Sequence, residues 1–195
     1  MTATFTIRLV PAADIDGKKL DGITLREPTI GEFLRATKLG SADADAALVA
    51  FVAGVADYQA LARALTARAM RRAILWLEPS VQAVGQIGTG DLLPAGVTSD
   101  DDLPDTLAIP LADTIQIGTT WIDHIELHEP TGLDLIKFRR EPAELPAVLL
   151  LVCLASGQPR MIIERLPVSV FARAAAYALG FIAGVPKAGK ASLPA

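Results

Sequence analysis

Ile23-Thr24-Leu25-Arg26-Glu27-Pro28-Thr29-Ile30-Gly31-Glu32-Phe33 returns 102 residues later as Ile125-Glu126-Leu127-His128-Glu129-Pro130-Thr131-Gly132-Leu133-Asp134-Leu135. What recurs is a folding instruction. Alternating apolar residues make a strand, and a proline, having no amide donor, stops its ladder. A threonine followed three residues later by an acid then starts a helix. In such a capping box the threonine oxygen accepts from the amide of the acid, and the acid accepts from the amide of the threonine. Glu27, Pro28, Thr29 and Glu32 carry this in the first copy, and Glu129, Pro130, Thr131 and Asp134 carry a weaker version in the second. A chain that repeats a folding instruction rather than a catalytic one points to a structural or binding module.

The surroundings of each copy extend the pattern. Phe5, Ile7 and Leu9 alternate, Asp14 to Gly17 is a turn signal, and Leu20 to Arg26 is the returning strand. The second copy reads as a short strand at Thr114 to Ile117, a shorter turn at Gly118 to Thr120, and a return over Trp121 to His128. Helices are predicted over Ile30–Leu39, Ala44–Ala56 and Tyr58–Leu77 in the first half. The last of these carries Leu61, Leu65, Ala69, Ala73 and Leu77 four apart and ends at Pro79. In the second half a helix is expected to start at the Thr131 cap, and helices are predicted over Pro146–Ser156 and Pro167–Gly184, with a short segment Met161–Arg165 between them. The expected fold is α+β, a tandem duplication of a β-hairpin followed by about three helices, packed pseudo-symmetrically. Its parts are a first module over 1–84, a solvated linker over 85–112, a second module over 113–186 and a flexible tail over 187–195.

Composition narrows the function classes. The chain has 195 residues, is 51% hydrophobic and has a mean hydropathy of +0.39. Its most apolar runs, Ala147–Ala155 and Ala174–Val185, are shorter than the roughly 18–20 residues a membrane span needs. They read as buried helices, with no membrane partner expected. The start, Met1-Thr2-Ala3-Thr4-Phe5, has neither a basic nor an apolar leader region, so no signal peptide is expected. The single cysteine, Cys153, fits a reducing compartment. Net charge is −4, and the basic group Arg63, Arg68, Arg71 and Arg72 has no interleaved aromatic residues to stack bases, so no nucleic-acid partner is expected.

Several motifs suggest chemistry, and each has a plainer reading. Gly184 to Ala191 resembles a phosphate loop but has Ala191 where magnesium binding needs a hydroxyl, and no helix-length segment follows. His124, Glu126 and His128 alternate on one strand face, a spacing that can hold zinc; the first copy has Gly22, Thr24 and Arg26 there, so the feature is not part of the repeat. Cys153 sits in a run too apolar to favour a thiolate. Glu32 and Asp134 are accounted for as caps. No catalytic residue, cofactor or metal is therefore assigned. The last helix has only Arg173 charged between Val168 and Ile182. Intramolecular core is the plainer explanation. The sharper one makes Phe171, Tyr177, Phe181 and Ile182 a face for a partner protein.

The strand Ile23-x-Leu25-Arg26-Glu27-Pro28-Thr29, followed by Gly31-Glu32 and an alanine-rich helical stretch, resembles the tail assembly chaperones of Mu-like and related tailed phages. Residues 5–77 resemble one copy and residues 114–184 a second, with His128 and Gly132-Leu133-Asp134 departing from the pattern. The resemblance implies a non-enzymatic protein of the bacterial host cytoplasm. It would bind the tape-measure protein, the tail tube protein or both during tail morphogenesis, by reversible masking of apolar helical surface. The same modules could instead serve a structural tail or baseplate adaptor retained in the virion, and a small metal-dependent enzyme centred on His124 and His128 is the remaining rival. Self-association is left open.

Overall fold

The computed structural model describes residues 3–183 apart from Asp16, Gly90 and Thr98. The fold is α+β, and the chain divides into two compact units, Met1–Gln82 and Ala83–Ala195. The glycine–lysine segment 184–191 and the tail 187–195 lie outside the described residues.

The first unit opens with β1 (Thr4–Ile15) and β2 (Lys18–Arg26), an antiparallel two-stranded sheet. Thr4 pairs with Arg26 and Ile7 with Ile23, and the register shifts between Arg8 and Ala13. Helices α1 (Ile30–Thr37), α2 (Ser41–Val52), α3 (Tyr58–Ala64) and α4 (Ala67–Gly85) follow. Ile7, Leu9, Ile15, Ile23 and Leu25 turn one hairpin face into the core, where Val49, Val52, Leu61 and Leu77 meet them. Phe5 stacks on Trp76 with ring centroids 6.0 Å apart, tying α4 to the strand, and Arg72 lies 5.6 Å over the same phenyl ring.

The second unit contains β3 (Thr106–Ile117), β4 (Thr120–His128), α5 (Gly132–Arg140), α6 (Glu144–Ser156), α7 (Arg160–Ile163) and α8 (Val168–Ala183). The offset of 102 holds for the sheet as well as the motif. Thr106 pairs with His128, Ile109 with Ile125, and the register shifts between Pro110 and Ile115. Each of these positions is the first-unit position plus 102. The second hairpin is thus as long as the first and carries its irregularity at the same place. The shorter second turn expected from sequence is not there. Each hairpin connection spans two residues, between Ile15 and Lys18 and between Ile117 and Thr120.

Three further expectations are corrected. Among the described residues each unit has four helices rather than about three, because the stretch 58–77 is broken in the first and the short α7 forms in the second. Leu65 is extended (ψ 133°), and Thr66 restarts the helix by accepting from the amide of Ala69 at 3.2 Å. The apolar stripe runs straight across the break, with Leu61, Leu65, Ala73 and Leu77 all buried. Pro79 does not end the helix but sits inside α4, on its exposed side. A proline costs the helix one amide donor and crowds the carbonyl four residues back; here the strained side faces water.

The third correction concerns the linker 85–112. β3 begins at Thr106, and the segment before it is not simply solvated. After a 3₁₀ turn at Asp100–Asp102, Leu103 is buried. Its Cδ1 would lie 2.9 Å from a Cβ placed on Gly180, so α8 accepts this leucine because residue 180 has no side chain. The hydroxyl of Tyr177, whose ring is fully buried, donates to the carbonyl of Pro104 at 2.7 Å. Burial, then the carboxylates of Asp105 and Glu129, push this phenol up to about 12, so it stays a donor at ordinary pH. No helix among the described residues is long and apolar enough to cross a membrane.

Tyr177→Phe removes this bond to the exposed Pro104 and is expected to cost about 0.5–1.5 kcal/mol. Urea denaturation checks this; an unchanged midpoint would mean that the phenol–carbonyl bond adds nothing to the hold that Leu103 has on α8.

Candidate functional site

The repeated motif is fully engaged in structure. In the first unit the amide of Glu32 donates to Thr29 Oγ1 at 3.3 Å, and the amide of Thr29 donates to Glu32 Oε2 at 2.9 Å. Arg26 closes the arrangement from the strand, its Nη1 and Nη2 donating to Glu32 at 2.9 and 2.6 Å. Glu32 is only 7% exposed, and this fork is what lets a carboxylate lie there. The carboxylate in turn holds the guanidinium above its ordinary pKa, burial opposing in part. Pro28 and Pro130 are both buried at the strand ends.

The second copy keeps the cap and loses the fork. Thr131 Oγ1 accepts from the amide of Asp134 at 3.3 Å and donates to Asp134 Oδ2 at 2.6 Å, while the amide of Thr131 donates to the same oxygen at 3.0 Å. These bonds, foremost the one from the Thr131 hydroxyl, hold the Asp134 carboxyl below its ordinary value, and Lys137 at 3.5 Å adds to the effect. Glu129 is exposed, and its amide donates to the Asp105 carbonyl at 3.3 Å.

His124, Glu126 and His128 do share one exposed strand face, as their spacing predicts. His124 Nδ1 contacts its neighbour Asp123 at 2.6 Å, which keeps that carboxyl below its ordinary value. Among the described residues no three His, Cys, Asp or Glu side chains are placed to hold a metal ion together.

The candidate partner face on the last helix is corrected at Phe171 and Tyr177. Phe171 and Tyr177 are core residues, and Phe181 and Ile182 are half-buried, with Phe181 edge-on to Tyr177 at 5.1 Å. An all-apolar helix is what a fully covered position requires, and the segment carrying Leu103 and Pro104 supplies part of that cover.

The surface that sequence reasoning missed is on α5 and α6. Leu133 is 60% and Ile136 50% exposed, three apart on α5, which has no buried residue at all. On α1 the counterpart of Ile136 is Leu34, only 8% exposed. On α6 and the following turn, Pro146, Leu149, Leu150, Cys153, Leu154 and Pro159 line an open groove of about 560 Å³, with Glu141 and Arg160 also on its wall. A smaller groove of about 220 Å³ in the first unit includes Leu75 and Val81, both exposed. The signal for the α5–α6 surface was present in the repeat: Gly31 becomes Leu133, and Phe51 becomes Cys153. Such a concave apolar wall suits binding. Burial pushes the Cys153 thiol up to about 11, leaving it a poor nucleophile at neutral pH.

Two measurements check these assignments. Thr29→Ala removes one half of a capping box and is expected to cost about 1 kcal/mol in thermal or chemical denaturation; no change would mean that the box does not hold α1. Cys153 at a pKa of about 11 carries roughly 100-fold less thiolate than an unperturbed thiol, so iodoacetamide at pH 8 is expected to label it about that much more slowly than a model thiol. Labelling at the model rate would mean that the groove wall is solvated.

No protein-family model matches this chain, and neither the curated proteins nor the solved structures give a match.

Proposed function

We propose that this protein is a non-enzymatic tail assembly chaperone of the kind found in Mu-like and related tailed phages. It would act in the bacterial cytoplasm on the tape-measure protein, the tail tube protein or both. The observation that carries the reading is the uncovered apolar surface of the second unit, Leu133 and Ile136 on α5 together with the leucine-lined groove on α6. Within the same unit the carboxylate of Asp134 is committed to holding the start of α5. The matching hairpin registers favour an origin by tandem duplication, with the larger of the two grooves on the second copy.

The physics suits transient binding. Fully burying a leucine or isoleucine is worth about 1.5–3 kcal/mol, and a client helix covering α5 would gain only the part now exposed. A few such contacts hold an amphipathic helix in a groove without locking it there. Release as tube subunits polymerise around the client then needs no external energy.

Co-expression with the tape-measure and tail tube proteins of a Mu-like tailed phage tests the proposal. The wild type is expected to co-purify with one of them and keep it soluble. Leu133→Asp combined with Ile136→Asp, on an exposed face, is expected to weaken capture by about tenfold or more, near 1.4 kcal/mol, with the thermal midpoint unchanged. Undiminished capture by a folded double variant removes this surface as the client site. Presence of the protein in purified tails would favour a retained adaptor over a chaperone.

A further inference from the structure

The second unit shows what sits on one helix face that the first unit leaves open. On α8 the segment before β3 provides the cover: Leu103 takes the space left by the absent side chain of Gly180, and Tyr177 donates to the Pro104 carbonyl. The offset of 102 puts Glu78 of α4 at the position of Gly180, Leu75 at that of Tyr177 and Asp45 of α2 at that of Ala147. In the first unit Leu75 and Val81 are exposed, on the wall of the groove of about 220 Å³ that Asp45 and Glu78 also line. Glu78 accepts from Gln82 at 3.0 Å, and among the described residues neither carboxylate is in an ion pair. The position that takes an apolar side chain in one unit thus stands open in the other, with two negative charges added. Its cover must be apolar and carry cations.

Helix α5 has that chemistry. Leu133, Ile136 and Arg140 are spaced i, i+3 and i+7, which sets them on one helix face, and Arg139 flanks them. All four are exposed. Lys137 is held by Asp134, but neither arginine makes an ion pair among the described residues.

We propose that the first-unit groove of one copy of this chain receives α5 of a second copy. Leu133 and Ile136 pack on Leu75 and Val81, while Arg139 and Arg140 meet Asp45 and Glu78. The spacings match. On α4, Ile74, Glu78 and Val81 stand at i, i+4 and i+7, so each helix offers a ridge about 10 Å long. At about 220 Å³ the groove is smaller than a small-ligand site, roughly 300–1,000 Å³, and suits side chains presented by a helix. Two unlike patches on one chain meet either reciprocally in a two-fold pair or repeatedly, head to tail. The same α5 face serves the client in the reading above, so copies that cover each other keep it from water until a client takes their place. The contact itself does not rest on that reading.

Sedimentation of the full chain from micromolar to millimolar concentration tests the contact. The wild type is expected to associate, and to do so less as salt is raised. Arg139→Glu with Arg140→Glu, and separately Asp45→Lys with Glu78→Lys, are each expected to weaken association about tenfold or more. An equimolar mixture of the two folded variants is expected to associate again, because both cross-pairings then bring opposite charges together. A wild type that stays monomeric, variants that associate as the wild type does, or a mixture that does not recover overturns the proposal. Should a variant fail to fold, carbodiimide coupling of mixed isotope-labelled and unlabelled wild type decides. Amide links between copies from Lys137 to Asp45 or Glu78 support the contact, and their absence overturns it. The sedimentation contains no tail protein. Association with failed capture would therefore remove the chaperone reading alone, and capture by a monomer would remove the self-contact alone.

Discussion

In each unit the chain turns from sheet to helix at a buried proline, and a threonine just behind it fixes where the helix starts. The inner hairpin face, Ile7, Ile23 and Leu25 in one unit and Ile109, Ile125 and Leu127 in the other, must then find its helices in a set direction. In the first unit the geometry is locked by a charge pair, since Arg26 reaches from the last strand residue to the capping carboxylate. A buried carboxylate so held is stable while its partner remains and costly once it is alone. The second unit replaces the pair by His128 and Asp134 and relies on the cap with Lys137 beside it. The cap, not the ion pair, is therefore the common requirement.

The cores are filled differently around that common turn. Phe5 and Trp76 stack in the first unit, where the second has Leu107 and Ala178. The second unit instead has Phe171 and Tyr177 where the first has Ala69 and Leu75. Tyr177 is buried and Leu75 is exposed because only α8 has the Leu103–Pro104 segment laid over it within its unit. The apolar pattern is kept while the individual side chains exchange. On α6, Leu149, Leu151 and Val152 replace Ala47, Val49 and Ala50, and all six are buried.

Local signals in the sequence were legible and tertiary ones were not. The strand, the proline stop and the threonine cap depend on residues within four positions of one another, and both copies fold as those residues indicate. The break at Leu65 was hidden because the apolar stripe from Leu61 to Leu77 continues across it; the hydroxyl of Thr66 was the available sign. The start of β3 was masked by Pro104 and Pro110, although Leu107, Ile109 and Leu111 alternate. How Tyr177 is covered depends on a segment whose composition reads as loop, so no inspection of α8 alone could settle it. The exposed face of α5 was readable only by comparing the copies, through the glycine at 31 that becomes Leu133.

The exchange of Phe51 for Cys153 bears on both stability and binding. A half-buried ring contributes part of the 1.5–3 kcal/mol that full burial of such a side chain would give. The second unit forgoes that contribution on α6, and the larger side chains at 149, 151 and 152 offset it from the inner face of the same helix. An open apolar wall can therefore be carried by a unit that still has a well-filled core. The inner face of α6 answers to the hairpin, while its outer face is free to answer to something else. This division of one helix between two demands is how α6 can pack its own unit and still carry an open groove.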